Sequence, residues 1–343
     1  MDRIETGRPA AVAPFVKLAD PNEYVACNWN LTEDHVGRAH WVAFFKRHIS
    51  TILSLGVEAA TARGGDEASA RHRADACQAE FFGVFDAYAA DPVSHGRVTI
   101  LTLDEWRDGL LRKYGFVDAF VDLKHRENEK MLPLLPAVCQ RIDALPTAAE
   151  QLRAVIEGVF AGNIFDMGAE ATVKRFLGQS VDFATVRNEL PDRPWCIDDY
   201  DVLARRVLEG PAHHKCVFFI DNAGSDFLLG ALPMMRWLAM RGTRIVLAAN
   251  ERPTLNDMTI HDIETWWPRI VATEPSLAEL PIERVSTGTG EPLIDLSAVS
   301  HELNAAAARS ISGSPVPVLI RSIGRPASDG SVSMIRGHQA SMS

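Results

Sequence analysis

The apolar run from Cys216 to Ile220 is too short for a helix and rich in residues that fill buried strands. It breaks into Asp221-Asn222-Ala223-Gly224, two oxygen-bearing side chains ahead of a glycine. Leu228, Leu232, Met235 and Leu238 then recur at near-helical spacing, and Gly242 suits the C-terminal cap of that helix. A second apolar run, Thr243 to Ala249, ends in Asn250, and the loop beyond it carries Asn256 and Asp257. This pattern predicts a βαβ unit with parallel strands and a right-handed crossover. Pro281 to Val285 predicts a third strand, with the small polar loop Ser286 to Gly290 at its carboxyl end. Open α/β sheets bind ligands beyond the carboxyl ends of their strands, so function is expected among these loops.

Upstream the period changes from two to that of a helix. Pro9, Pro14 and Pro21 make the first residues an extended lead-in. From His40, the residues Trp41, Phe44, Phe45, Ile49, Ile52 and Leu53 share one broad helical face. Further helices are predicted through Ala68 to Ala90, from a capped start at Thr102 to Tyr114, from Phe116 to Lys130 and from Val138 to Leu145. No strand alternation of any length occurs before residue 150. An amphipathic helix from Ala148 to Phe160 then runs into Gly162-Asn163 and Asp166-Met167-Gly168. Asn163 there suits a helix C-cap and Asp166 the following N-cap. Asp192 to Asp199 resembles a turn and cap before a short helix at Tyr200 to Leu208. Thr259 to Asp262 has capping-box spacing ahead of Ile263 to Ile270, and Ile294 to Ala308 reads as helical. From about Arg309 the chain turns to Ser, Gly, Pro and Arg without periodicity, the signature of a disordered tail. The predicted class is α/β, a three-layer α/β/α sandwich with a mainly parallel sheet after a helical N-terminal region. Its expected divisions are 1–150, 151–308 and 309–343.

Composition narrows this little. At 47% hydrophobic and 23% charged residues the chain is ordinary for a globular protein. A net charge of -10 argues against a broad nucleic-acid surface. The five cysteines are scattered and form no C-x-x-C pair, so reduced, buried thiols are expected rather than a zinc knuckle or a disulfide framework. His213 and His214 are expected at the surface rather than on a metal. No apolar run is long enough for a signal peptide or a membrane span, so a cytoplasmic protein is expected.

Candidate chemistry lies at the strand ends. Asp221, Asn222 and Asp257 offer hard oxygen donors suited to Mg²⁺ or Mn²⁺ rather than to Zn²⁺. Such a metal would leave positions open for water and a substrate phosphate, polarise the phosphoryl group and activate the water. The plainer reading, that Asp221 and Asp257 cap the helices after them, remains open from spacing alone. Other chemistries lack their residues: no G-x-G-x-x-G follows the strand, and no G-x-x-x-x-G-K-[ST] or G-x-S-x-G occurs. Ala223 occupies the place of the second aspartate of an Asp-x-Asp phosphatase.

IDNAGSDFLLGALP and RGTRIVLAANERPTLND closely resemble the metal-dependent damage-control phosphatases, once called domain of unknown function 89. The resemblance is to the subfamily found as stand-alone plant and bacterial proteins and fused to pantothenate kinase-like domains. AGNIFDMGA, RPWCIDD and GFVDAFVDLKHRENEK extend it, so that it spans about Leu101 to Ala308. It implies Asp221, Asn222 and Asp257 as metal ligands, with Asp221 and Asp257 carrying catalysis. It also implies a divalent ion (Mn²⁺, Mg²⁺, Co²⁺ or Ni²⁺) and hydrolysis of small phosphomonoesters such as phosphopantetheine-like or sugar phosphates. Asn163, Asp166 and Asn250 are expected to line the same crevice, beside the ligands or against substrate hydroxyls. The expected partner is a small phosphorylated metabolite, without nucleic acid or membrane and with a homo-oligomer left open. The pattern departs after Ala308, where the family continues with a strand ending in Glu-Gly-Met-Gly-Arg and later a lysine. The alternative expectation is therefore an inactive, C-terminally truncated or frame-shifted homologue that binds metal or a partner.

Overall fold

Asp34 opens the first long helix by accepting the amide hydrogens of Val36 and Gly37, which are orphaned at a helix start. In this computed structural model, which describes residues 12–164, 190, 193–195, 198–210, 213–290 and 294–309, that helix begins a helical half. In chain order its elements are the short strand β1 (Val12–Ala13), α1 (His35–Ala62), α2 (Glu67–Ala90), α3 (Ile100–Lys113) and α4 (Val121–Met131). Next come α5 (Leu135–Asp143), α6 (Ala148–Ile164) and α7 (Tyr200–Leu208). The α/β half follows: β2 (Lys215–Phe219), α8 (Leu232–Met240), β3 (Arg244–Ala249), α9 (Ile260–Thr273), β4 (Ile282–Ser286), β5 (Val299–Ser300) and α10 (His301–Ala308).

β2, β3 and β4 form a parallel sheet in that order, with Phe219 opposite Ala248 and Ala249 opposite Ser286. Side chains alternate across a strand, so two different cores should meet the two faces. Cys216, Phe218, Ile220, Ile245 and Leu247 pack with α5, α6, α8 and α9. Val217, Phe219, Val246, Ala248 and Val285 pack instead with Phe15, Leu296, Val299, Leu303 and Ala306. The sheet is thus covered on both faces, as continuous apolar strands require. This is the α/β/α layering expected from the sequence. A separate aromatic core, including Phe45, Phe81, Phe85 and Tyr88, holds the helical half.

Several boundaries differ from the sequence reading. α3 starts at Ile100 because Thr99 and Thr102 form the capping box, three residues ahead of the expected start. Phe116 to Phe120 is not helical, and α4 begins only at Val121. Ile294 to Ala308 is not one helix: β5 pairs antiparallel with β1, and Ser300 then caps α10 through the Leu303 amide. Local propensity gave no sign of a two-residue strand that needs a partner almost the whole chain away. The Thr259–Asp262 capping box is present as expected and starts α9 at Ile260. The segment after Gly224 opens with a π-helical turn, Asp226–Ala231, before α8. Pro233 has no amide hydrogen to continue a regular ladder there. Cys77, Cys139 and Cys216 are buried and outside any disulfide, and burial pushes Cys77 up to about 11 and Cys139 up to about 12.

Candidate functional site

The carboxyl ends of β2, β3 and β4 lie side by side because the strands are parallel and in register. Past β2, Asp221 and Asn222 begin a loop in which the Asn222 amide donates to Asp221 Oδ1 at 2.8 Å. Past β3, Asn250 precedes the loop that ends in Asp257. The two loops are joined: Asn222 and Asp257 form an antiparallel bridge, and the Met258 amide donates to the Asp221 carbonyl at 2.6 Å. The Ala223 amide donates to the Asn256 carbonyl at 3.0 Å. The Asn250 side-chain amide donates to Asp257 Oδ2 at 3.3 Å. Asn222, Asn250 and Asp257 are all buried, while Asp221 is partly open. Past β4, Thr287 approaches Asn250 Oδ1 at 3.4 Å, and the Glu251 amide donates to the Thr289 carbonyl.

The fold thus brings together Asp221, Asn222, Asn250 and Asp257. Asn163 lies in the last turn of α6, one residue from Gly162, whose carbonyl accepts from Ser225 Oγ at 3.1 Å. That contact carries the end of α6 to the loop after β2. Asp166 lies outside the described residues, as do Cys196, Ile197 and the chain beyond Arg309. His213 and His214 are half-buried. Among the described residues no three His, Cys, Asp or Glu side chains gather as a metal cluster. Asp221, Asn222 and Asp257 form a different set, two carboxylates and an amide. Their oxygen-only chemistry and the bridge joining their two loops fit a hard divalent cation.

The sequence reading missed residues that the helical half sends into this site. The buried face of α4 is Lys124, Glu127, Asn128 and Met131, at helical spacing yet largely polar. The spacing marks one helix face, but charge there reads as solvent-facing in the sequence, so no local signal set it apart. Lys124, only 2% exposed, bonds Asp262 Oδ2 at 2.7 Å and Asp118 Oδ2 at 2.9 Å. It also reaches the Asp257 carbonyl at 3.4 Å. Burial works against its charge, but the Asp118 and Asp262 carboxylates outweigh that and hold it above the usual lysine range. Asn128 Oδ1 accepts the Gly224 amide at 2.8 Å. Gly224 has φ 71°, and a Cβ there would lie 2.9 Å from the Glu127 Cβ, so only glycine permits this approach. Burial raises the Glu127 carboxyl, with Lys130 offsetting part of that.

A second tie comes from α3. Thr254 Oγ1 donates to Asp108 Oδ2 at 2.7 Å, and Arg107 donates to Asp108 Oδ1 at 2.8 Å. Arg107 also pairs with Asp104 at 2.5 Å. Burial disfavours the Arg107 charge, but Asp108 and Asp104 more than restore it and raise it above the usual arginine range. The Asp257 amide donates to the Thr254 carbonyl at 3.0 Å, closing a tight turn. Leu255 in that turn has φ 43°, a left-handed value that costs a side-chain-bearing residue about 1–2 kcal/mol. Its side chain is buried in the core of the helical half.

The class is a parallel α/β sheet with carboxylate and amide side chains in the loops at its carboxyl edge, the place where open α/β sheets bind ligands. The chain belongs to the damage-control phosphatase ARMT1-like domain family, whose model matches residues 67–311. It is 33% identical over 303 residues to a 4'-phosphopantetheine phosphatase of Mus musculus, covering 87% of this chain and 36% of that protein. It is 33% identical over 328 residues to pantothenate kinase 2 of Arabidopsis thaliana, covering 85% of this chain and 35% of that one. The chain therefore spans about a third of the length of these two relatives. Against an Arabidopsis thaliana damage-control phosphatase it is 31% identical over 305 residues, covering 85% of this chain and 82% of the other. A crystal structure of a duf89 family protein from Pyrococcus horikoshii shares the fold at a TM-score of 0.52 and 16% identity, covering 84% and 92% of the two chains.

Proposed function

We propose that this chain is a divalent-metal-dependent phosphomonoesterase acting on small phosphorylated metabolites, with phosphopantetheine-like or sugar phosphates as the substrate class. The observation that carries the reading is the Asn222–Asp257 bridge, which joins the loop holding the Asp-Asn pair to the loop holding the second aspartate beyond the sheet. Family membership supports it, and the activity for which the mouse relative is named favours a phosphopantetheine-type substrate. In this reading Asp221, Asn222 and Asp257 hold Mn²⁺, Mg²⁺, Co²⁺ or Ni²⁺. When bound, such an ion withdraws charge from the phosphoryl oxygens and activates a water. The Asn250 amide fixes the rotamer of the Asp257 carboxylate, and its remaining oxygen lies beside Thr287. Asn163, in the last turn of α6, supports the metal ligands or contacts substrate hydroxyls, and Asp166 is assigned the same role. The enzyme acts in the cytoplasm; among the described residues no helix is long and apolar enough to cross a membrane.

The test is phosphate release from p-nitrophenyl phosphate and 4'-phosphopantetheine with and without Mn²⁺, for the wild type, Asp221→Ala and Asp257→Ala. Metal-dependent turnover is expected in the wild type and lost in both variants, with circular dichroism nearly unchanged. Retained turnover in Asp257→Ala removes that residue as an essential ligand. An inactive wild type that still binds Mn²⁺ favours a metal-binding homologue without catalysis.

A further inference from the structure

We propose that Thr254 and Asp108 are positioning residues: their hydrogen bond lets the helical half set the Asp257 carboxylate for metal binding. The inference rests on the reading that Asp257 holds the metal. Asp257 is the last residue of a turn closed by its own amide on the Thr254 carbonyl at 3.0 Å. The second residue of that turn, Leu255, is in the left-handed region at φ 43°, which leucine avoids. Such a conformation persists only where the surroundings over-determine it. Here three restraints do so. The Leu255 side chain is buried among the helical-half aromatic and aliphatic residues. The Asn256 carbonyl accepts from Ala223 at 3.0 Å. Thr254 Oγ1 donates to Asp108 Oδ2 at 2.7 Å.

Of these, the Thr254–Asp108 bond has the firmest anchor. Asp108 cannot rotate toward water, because its other oxygen accepts from Arg107 Nε at 2.8 Å and the whole group is buried. Arg107 is itself locked, by Asp104 at 2.5 Å and by the Phe45 ring, whose centroid is 5.5 Å away. The chain Phe45–Arg107–Asp108–Thr254 therefore runs from the helical core to the turn that presents Asp257. Breaking its last link frees one end of a strained turn and leaves a buried acceptor without its hydroxyl.

The experiment is Mn²⁺ binding to the full chain, read by isothermal titration and by the electron paramagnetic resonance signal of free Mn²⁺. Thr254→Val keeps the shape and removes the hydroxyl, and should weaken Mn²⁺ binding by about 10- to 100-fold, the usual effect of losing a residue that orients a ligand. Thr254→Ser restores the hydroxyl and should bring affinity back toward wild type, which a general packing defect would not allow. Asp108→Asn is a second arm that decides the matter should Thr254→Val not fold, and it should weaken binding in the same direction. Wild-type Mn²⁺ affinity in folded Thr254→Val, or in folded Asp108→Asn where the valine variant is unfolded, overturns the proposal. Asp257→Ala separates the two levels. If it binds Mn²⁺ like the wild type, the functional reading itself fails. If it loses Mn²⁺ while Thr254→Val keeps it, only the positioning role fails.

Discussion

The helical half and the α/β half are built on opposite plans. The first buries stacked rings: Phe81 lies 4.2 Å from Phe85, Phe85 lies 5.5 Å from Phe45, and Trp106 meets Phe85 edge-on at 6.0 Å. The second buries an apolar sheet and gathers polar groups at its carboxyl edge, where Asn222, Asn250, Asp257 and Thr287 are nearly closed off from solvent. The loops at that edge are joined to one another by the Asn222–Asp257 bridge and by bonds such as Met258 to Asp221. The helical half adds polar contacts to these loops, among them Asp108 to Thr254, Lys124 to Asp262 and Asn128 to Gly224. One half carries the edge loops; the other is bonded to them. Substitutions should accordingly divide into those that cost the fold and those that cost the site.

The largest loss of stability is expected from Phe85→Ala. The ring is fully buried and contacts three other aromatic residues. Its removal should cost about 3–5 kcal/mol, the range for an aromatic deleted from a packed core. Denaturant titration of both proteins measures this. A loss below about 1 kcal/mol would mean that the aromatic cluster is not the core of its half. Asp257→Ala, by contrast, should leave the denaturation midpoint within a small fraction of that change.

A middle-sized effect isolates the contact between the halves. Gly64 and Gly224 both have left-handed φ, 82° and 71°. An added Cβ at Gly64 meets nothing within 4 Å, whereas at Gly224 it meets the Glu127 Cβ at 2.9 Å. Gly64→Ala should therefore cost only the conformational term, about 1–2 kcal/mol. Gly224→Ala should cost about that plus overpacking of about 1–3 kcal/mol. It should also disturb the amide held by Asn128. Equal losses in the two variants would show that α4 yields easily and does not hold the loop.

The same division governed what the sequence disclosed. β2 and β3 were legible because a strand buried on both faces is an apolar run, as at Cys216 to Ile220, and β4 from the shorter signal of Pro281 to Val285. Asp221, Asn222, Asn250 and Asp257 were legible because such strands deliver their next residues to one edge. The β1–β5 pair was not, since two residues carry no period and their partner is remote. Nor were Thr254 and Asp108, whose 2.7 Å bond spans 146 positions and belongs to no motif. Lys124, Glu127 and Asn128 lay between these cases. Their helical spacing was visible, but charge on that face argued for solvent, and only the carboxylates and amides that the α/β half brings to them reverse that.

The smallest effect concerns the charge that the helical half places against the loop after β2. Glu127 is buried beside Gly224, and Lys130, with which it pairs at 3.7 Å, is largely exposed. Burial raises its carboxyl above the usual 4.5, and Lys130 recovers only part of that. A carboxyl whose folded value is raised binds its proton more tightly folded than unfolded. Stability therefore falls as pH rises from the unfolded value through the folded one, and the full cost applies above both. Glu127→Gln, neutral at every pH, should thus be modestly more stable than the wild type at pH 7.5. The gain should shrink as pH is lowered toward 4 and vanish below the unfolded value. Urea titrations of the two proteins at several pH values across this range measure the difference. A gain that stayed constant with pH would assign the effect to shape or hydrogen bonding rather than charge. A loss at pH 7.5 would mean that the carboxylate is held by favourable contacts across the Gly224 loop. The two halves would then be joined there by charge as well as by packing.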